Sequence, residues 1–201
     1  DMDSTLITIE CVDEIAAGVG LKEQVAAITE QSMRGELDFE QSLRKRVGLL
    51  AGLPESVLQE VYDQVLKLSP GAEYLLSECK KHGVKFMLVS GGFTFFTDRL
   101  QTRLGLDYTH ANLLDTDNGR LTGRLNGRII DAQAKADLLR EYRSKLGLRH
   151  GQVLAVGDGA NDLSMFEHSN LKIAFCAKQI LRRAATCCVD KKDLREIVNL
   201  I

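Results

Sequence analysis

Two aspartates stand two residues apart in the run Asp1-Met2-Asp3-Ser4-Thr5. If the backbone turns there, both carboxylates reach one site, where one can attack an electrophile while the other handles a proton. The same run also suits a Ca²⁺ loop or a helix cap, since Asp, Ser and Thr all accept from the free N–H groups of a helix start. A second acidic run, Gly157-Asp158-Gly159-Ala160-Asn161-Asp162, follows the apolar stretch Val153–Val156. Its carboxylates are hard oxygen donors of the kind Mg²⁺ takes, though Gly, Asp and Asn are also what an ordinary strand-to-helix turn prefers. Ser90-Gly91-Gly92 offers a hydroxyl and backbone N–H groups at a helix start, which is anion-binding hardware, and Lys135 offers a cation near another helix start. Taken singly, the Ser-Gly-Gly turn and the lysine are unremarkable.

These residues act together only if the elements between them converge. From Ala72 onward, helical and apolar strand-length segments alternate. Helix Ala72–His82 stops at Gly83, and strand Val84–Val89 runs into Ser90. A helix then reaches Leu104 before Gly105, and a strand covers Tyr108–Asn112. Asp117-Asn118-Gly119 marks a hairpin. Helix Lys135–Leu146 stops at Gly147, and strand Val153–Val156 runs into the second acidic loop. Helix Leu163–His168, strand Lys172–Cys176, helix Gln179–Ala185 and strand Cys187–Val189 follow. Alternation of this kind predicts a parallel sheet covered by helices on both faces. In such sheets ligands bind beyond the carboxyl ends of the strands, where both the Ser-Gly-Gly turn and the second acidic loop fall.

Residues 10–69 read differently. Apolar residues recur at helical spacing in three or four short stripes, Ile15/Val19, Leu37/Leu43/Val47/Leu50 and Val57/Val61/Val65/Leu68 among them, punctuated by glycines and Pro54. This all-α unit interrupts the α/β pattern after its first few residues, so it is expected to be an insertion shaped like a lid. The predicted domains are an α/β core over 1–9 and 70–201 and a helical cap over 10–69.

Composition excludes several classes. The 201 residues are 44% hydrophobic and 27% charged, which is globular rather than disordered. Net charge is −2, so there is no general electrostatic case for nucleic acid or an anionic membrane. No apolar run approaches the roughly 18 residues of a membrane span. Five cysteines, with no C-x-x-C pair, and scattered His82, His110, His150 and His168 make no zinc pattern. Reduced, mostly buried thiols in a cytoplasmic protein are expected.

In their order, D-x-D-S-T, Ser-Gly-Gly after a strand, a lysine, and G-D-G-A-N-D after a strand resemble the four motifs of the haloacid dehalogenase superfamily of phosphotransferases. Glu10 after the first motif, the α-helical insert, S-G-G-F and the cap segment Phe39–Val47 narrow the resemblance to the phosphoserine phosphatases of that superfamily. The resemblance implies a Rossmann-like parallel-sheet core with an inserted all-α cap. The implied reaction is Mg²⁺-dependent hydrolysis of O-phospho-L-serine, the last step of serine biosynthesis, through an aspartyl-phosphate.

It also assigns roles. Asp1 is implied as nucleophile and Asp3 as the acid that becomes the base. Mg²⁺ is implied on the Asp1 carboxylate, the Asp3 main-chain carbonyl and Asp158, with Asp162 acting through the metal's water shell. Ser90, Gly91 and Lys135 are implied to hold phosphate oxygens, and Asn161 to orient that region. In the cap, Glu10 is implied to face the substrate ammonium and Arg46 its carboxylate, with Met33 and Phe39 lining the apolar part of the lid. By residue type alone Arg46 reads as a solvated helix face, lying as it does in Arg44-Lys45-Arg46. Phosphoryl transfer to another alcohol, a less specific small-molecule phosphatase, and a non-catalytic phospho-ligand module use the same residues and stay open. Relatives carry an apolar strand just before the nucleophile, so the chain is expected to continue upstream of Asp1. Oligomeric state is not legible.

Overall fold

In the computed structural model, which describes residues 1–200, six strands form two three-stranded sheets. In the first, β1 (Met87–Phe93) pairs in parallel with β2 (Tyr108–Asp117), which pairs antiparallel with β3 (Arg120–Asn126). In the second, β4 (Leu154–Gly157), β5 (Leu171–Phe175) and β6 (Cys187–Val189) are parallel in that order. A cavity of about 490 Å³ is lined by Met87 and Val89 of β1 and by Leu154, Ala155 and Val156 of β4, with Asp1 at its wall. The Asp1 nitrogen donates to the Val156 carbonyl at 3.0 Å, which ties residue 1 to the carboxyl end of β4.

The connecting helices are α5 (Ala72–Lys81), α6 (Thr94–Leu104), α7 (Ala132–Lys145), α8 (Leu163–Glu167), α9 (Gln179–Arg182) and α10 (Arg195–Val198), with α1 to α4 in the insert described below. Local chemistry accounts for their limits. Gly105 takes the left-handed φ of 66° that ends α6. Asp131 caps α7 by accepting from the Ala134 N–H at 2.7 Å, so the helix opens three residues before Lys135 instead of at it. Asn118 and Gly119, with φ of 49° and 74°, make the tight turn between β2 and β3.

Strand β1 starts and ends later than its apolar run predicts. Ser90, Gly91 and Gly92 lie inside it, where the register jumps from Val89↔His110 to Phe93↔Asn112. Three residues of β1 therefore stand against Ala111 alone. This bulge releases their N–H groups from the ladder, and small residues without side-chain bulk allow it.

The insert holds α1 (Cys11–Gly18), α2 (Lys22–Met33), α3 (Phe39–Gly48), α4 (Ser56–Glu60) and one wide turn over Val61–Val65. Asp38 and Gln41 form a reciprocal capping box that starts α3. The two ends of the insert are pinned together: Ile7 bridges Leu68, Ser69 N–H donates to Leu6 O, and Ser69 Oγ donates to Thr5 O at 2.7 Å. Its far end leans on the β2–β3 hairpin through Gly52 N–H to Leu121 O and Leu121 N–H to Leu53 O. Leu43, Val47 and Leu50 of the insert belong to the same buried cluster as Met2, Leu6, Phe93 and Phe96. Each such side chain contributes about 1.5–3 kcal/mol, so insert and sheet stabilise each other.

The cysteines are less buried than composition implies. Cys11 and Cys79 are buried, Cys176 and Cys187 half-buried, and Cys188 exposed. The outer three sit at or beside β6, a three-residue edge strand paired only with β5. Among the described residues no helix is long and apolar enough to cross a membrane.

Candidate active site

Every core residue singled out by spacing arrives at the carboxyl ends of β1 and β4. Residues 2–6 form one wide turn in which Asp3 is extended and Ser4 takes a left-handed φ of 55°, so the chain reverses immediately after Asp3. Lys135, which is buried, places Nζ 2.9 Å from Asp1 Oδ1 and 2.9 Å from Asp162 Oδ1. Asn161 Nδ2 donates to Asp1 Oδ2 at 3.2 Å. Asp162 Oδ2 accepts from the N–H groups of Asp158 and Gly159, at 3.1 and 3.4 Å. Gly157 must be a glycine, because a Cβ there would lie 2.2 Å from Asp162 Oδ2. In the β1 bulge, Gly92 N–H donates to Ser90 Oγ at 2.8 Å. A Cβ on Gly92 would lie 3.0 Å from Asp3 Oδ2 and 3.1 Å from Ser90 Oγ, so the acid, the hydroxyl and the bare bulge share one small space.

The electrostatics are lopsided. Oxygens of Asp1, Asp158 and Asp162 lie within 4.8 Å of one another, an all-oxygen donor set of the type a hard divalent cation takes. Lys135 alone contacts two of these carboxylates. Burial, then the charges of Asp162 and Glu10, pushes the Asp158 carboxyl above its ordinary pKa. Burial, helped by Glu10, pushes Asp3 up to about 7, against hydrogen bonds from Cys11 that work the other way. A carboxyl poised near neutrality can both give and take a proton at working pH.

The insert supplies two of the four side chains assigned to it with clear placement. Glu10, at the start of α1, accepts from Ser4 Oγ at 2.6 Å, and its charge is felt by Asp3, Asp158 and Arg46. Phe39 reaches across to the sheet: a Cβ on Gly91 would meet its Cζ at 3.0 Å. Arg46 is half-buried instead of solvated, its nearest hydrogen bond being Nε to Ser42 O at 3.4 Å. Burial pulls its pKa down, while Asp13, Glu10 and Asp3 hold it up, so the guanidinium faces this acidic space without a carboxylate ion pair of its own. Met33 is not brought in: it stands 83% exposed at the end of α2.

Three further residues support the site through contacts that sequence pattern does not signal. Ser4 was inside the first motif, but its hold on Glu10 depends on the left-handed turn. Cys11 N–H lies 3.4 Å from Asp3 Oδ1, a contact made when α1 starts beside the turn. Asn112 is a buried polar residue that bonds to Gly91 O and to Ile130 N–H. It was legible in principle, since it is a polar residue at the end of an expected strand.

Residues 1–167 match the family model of the haloacid dehalogenase-like hydrolases. The chain belongs to that family. Among curated relatives of this haloacid dehalogenase-like hydrolase, the phosphoserine phosphatase of Albidiferax ferrireducens is 49% identical, over all of this chain and 86% of its own length. A solved analogue of the phospho-aspartyl intermediate of a phosphoserine phosphatase superposes with a TM-score of 0.93 at 44% identity, covering 100% of this chain and 96% of that one. A substrate-bound phosphoserine phosphatase gives the same TM-score and identity, over 100% and 95%. The predicted Rossmann-like parallel core of this family is the fold observed.

Proposed function

We propose that this chain hydrolyses O-phospho-L-serine to serine and phosphate with Asp1 as nucleophile. The observation that carries the chemistry is the buried Lys135 between Asp1 and Asp162, with Asp3 and the Ser90-Gly91-Gly92 bulge beside it. An Asp1 oxygen attacks phosphorus in line and the bond to the serine oxygen breaks. Asp3 gives its proton to that oxygen. Asp3 then takes a proton from a water that attacks the aspartyl-phosphate, which releases phosphate and restores Asp1. A carboxylate attacks a dianion only if the repulsion is offset. Lys135 supplies one fixed charge, and Ser90 and Gly91 direct donors at the phosphate oxygens.

The donor set of Asp1, Asp158 and Asp162 fits Mg²⁺. When bound, the ion offsets the negative charge of nucleophile and phosphate. Asp162 is already committed to Lys135 and two N–H groups, which suits an indirect, orienting role at the metal. Residues 10–69 serve as the cap. There Glu10 takes the substrate ammonium, Arg46 its carboxylate, and Phe39 covers the bulge; water expulsion on closure strengthens both charged contacts. Names of relatives and the substrate-bound neighbour support this substrate. The test is phosphate release from O-phospho-L-serine in Mg²⁺, with and without an added alcohol acceptor. Release in water, unaffected in yield by the alcohol, is expected; phosphate moved onto the alcohol in preference to water would make the chain a transferase.

A further inference from the structure

Asn112 is 1% exposed and lies at the register shift where β2 faces the β1 bulge. Its Nδ2 donates to Gly91 O at 2.8 Å and its Oδ1 accepts from Ile130 N–H at 2.8 Å. Those partners fix which end of the amide is which, since the reverse orientation would set donor against donor and acceptor against acceptor. The Gly91–Gly92 peptide is thereby held from both sides, its carbonyl by Asn112 and its N–H by Ser90 Oγ at 2.8 Å. With one lone pair of that hydroxyl taken, its proton is free to point at an anion. At the other end, Ile130 immediately precedes Asp131, the cap of the helix that carries Lys135. One buried side chain therefore sets the position of the Ser90-Gly91-Gly92 bulge relative to the lysine helix.

We infer that Asn112 is the positioning residue of the phosphate site, holding the bulge donors and Lys135 at the spacing that a phosphoryl group needs. This rests on the assignment of Ser90, Gly91 and Lys135 to phosphate. It extends that assignment to a residue that never touches substrate. Preorganised donors lose much of their effect when their support is loosened, and a displacement near 1 Å costs about 100-fold.

The inference is tested with Asn112→Ala, which is neutral and removes both bonds. Asn112→Ser is made alongside it in case the alanine protein fails to fold. Assays are run well below the melting temperature of each protein, with O-phospho-L-serine, with p-nitrophenyl phosphate and with inorganic phosphate as product inhibitor. Asn112→Ala is expected to lower kcat/KM by roughly 10- to 100-fold and by the same factor on both esters, because it acts at the end they share. The inhibition constant of phosphate should rise about tenfold, in proportion to lost donor alignment. Arg46→Ala, by contrast, should leave that constant unchanged. If Asn112 only satisfies two buried backbone groups, melting temperature falls while phosphate inhibition of the folded protein stays put. A phosphate inhibition constant within about twofold of the unaltered protein overturns the inference, whatever the melting temperature does. Absence of phosphatase activity in the unaltered chain overturns the functional reading, and this inference with it.

Discussion

Lys135 Nζ lies 2.9 Å from Asp1 Oδ1, with 1% and 5% of the two side chains exposed. A buried carboxylate of this kind needs its partner. Removing one member of a buried pair typically costs about 3–5 kcal/mol, because the other charge is left without compensation. Lys135→Met should therefore lower the melting temperature in chelator by several degrees, with Mg²⁺ restoring part of the loss. Turnover should drop by about 100-fold or more, as when a fixed donor to developing charge is removed. Calorimetry and steady-state kinetics on the same preparation check both.

Asp3 gives a pH signature. Its pKa is raised from 3.8 to about 7 by burial and then by Glu10, so the folded state holds that proton more tightly than the unfolded chain does. The resulting stability is fully present below about pH 4 and is lost as pH rises through about 7. Asp3→Asn removes the titration. In chelator, the difference in unfolding free energy between the unaltered protein and Asp3→Asn should shift steadily against the unaltered protein from pH 4 to 7. A constant difference across that window would contradict the assignment.

The acidic cluster predicts how metal couples to stability. Mg²⁺ binding to the folded state alone adds about 2.7 kcal/mol at 100 times its Kd. Mg²⁺ should raise the melting temperature of the unaltered protein and barely move that of Asp158→Asn, which loses one donor of the cluster. Activity should vanish with chelator. Ca²⁺ should substitute poorly, because it prefers longer and more numerous bonds.

Arg46 tests specificity. It is half-buried within reach of the charges of Asp13, Glu10 and Asp3 and makes no close ion pair, and under the proposed function it takes the substrate carboxylate. Arg46→Ala should cost phosphoserine hydrolysis roughly 2–4 kcal/mol in transition-state terms. p-Nitrophenyl phosphate, with no carboxylate, should be hydrolysed almost as before. Equal losses on both substrates would move Arg46 from specificity to fold or phosphate support.

Part of the core half of this site is legible from strand ends, where Ser90-Gly91-Gly92 and the Asp158–Asp162 loop fall. Asp1, Asp3 and Lys135 are weak signals singly, and it is the order of the four motifs, through the family resemblance, that groups them with the residues they meet in the structure. The insert is harder to read. Helical periodicity shows which residues are buried against the sheet, as with Leu43 and Val47, but not which face the substrate space. Arg46 is half-buried although its charged neighbours imply a solvated face, and Met33 points to solvent although the family resemblance puts it in the lid. The β1 bulge is invisible to an apolar-run criterion, which ends the strand at the first polar residue; only the pairing with β2 reveals that Ser90-Gly91-Gly92 stays within it. Asn112 and Ser4 escape for a related reason, since each acts through one tertiary hydrogen bond or two.

The central claim is that Asp1 carries the phosphoryl group. The most direct measurement is rapid acid quench of the protein turning over O-phospho-L-serine labelled in phosphorus, followed by peptide mapping. The label should appear on Asp1 in the unaltered protein. In Asp3→Asn, which lacks the acid of the first step and the base of the second, the label should both appear and disappear more slowly, and it should be absent from Asp1→Asn, whose turnover should fall by several orders of magnitude. A stoichiometric phosphoenzyme formed by Asp1→Asn would place the nucleophile elsewhere and contradict the account.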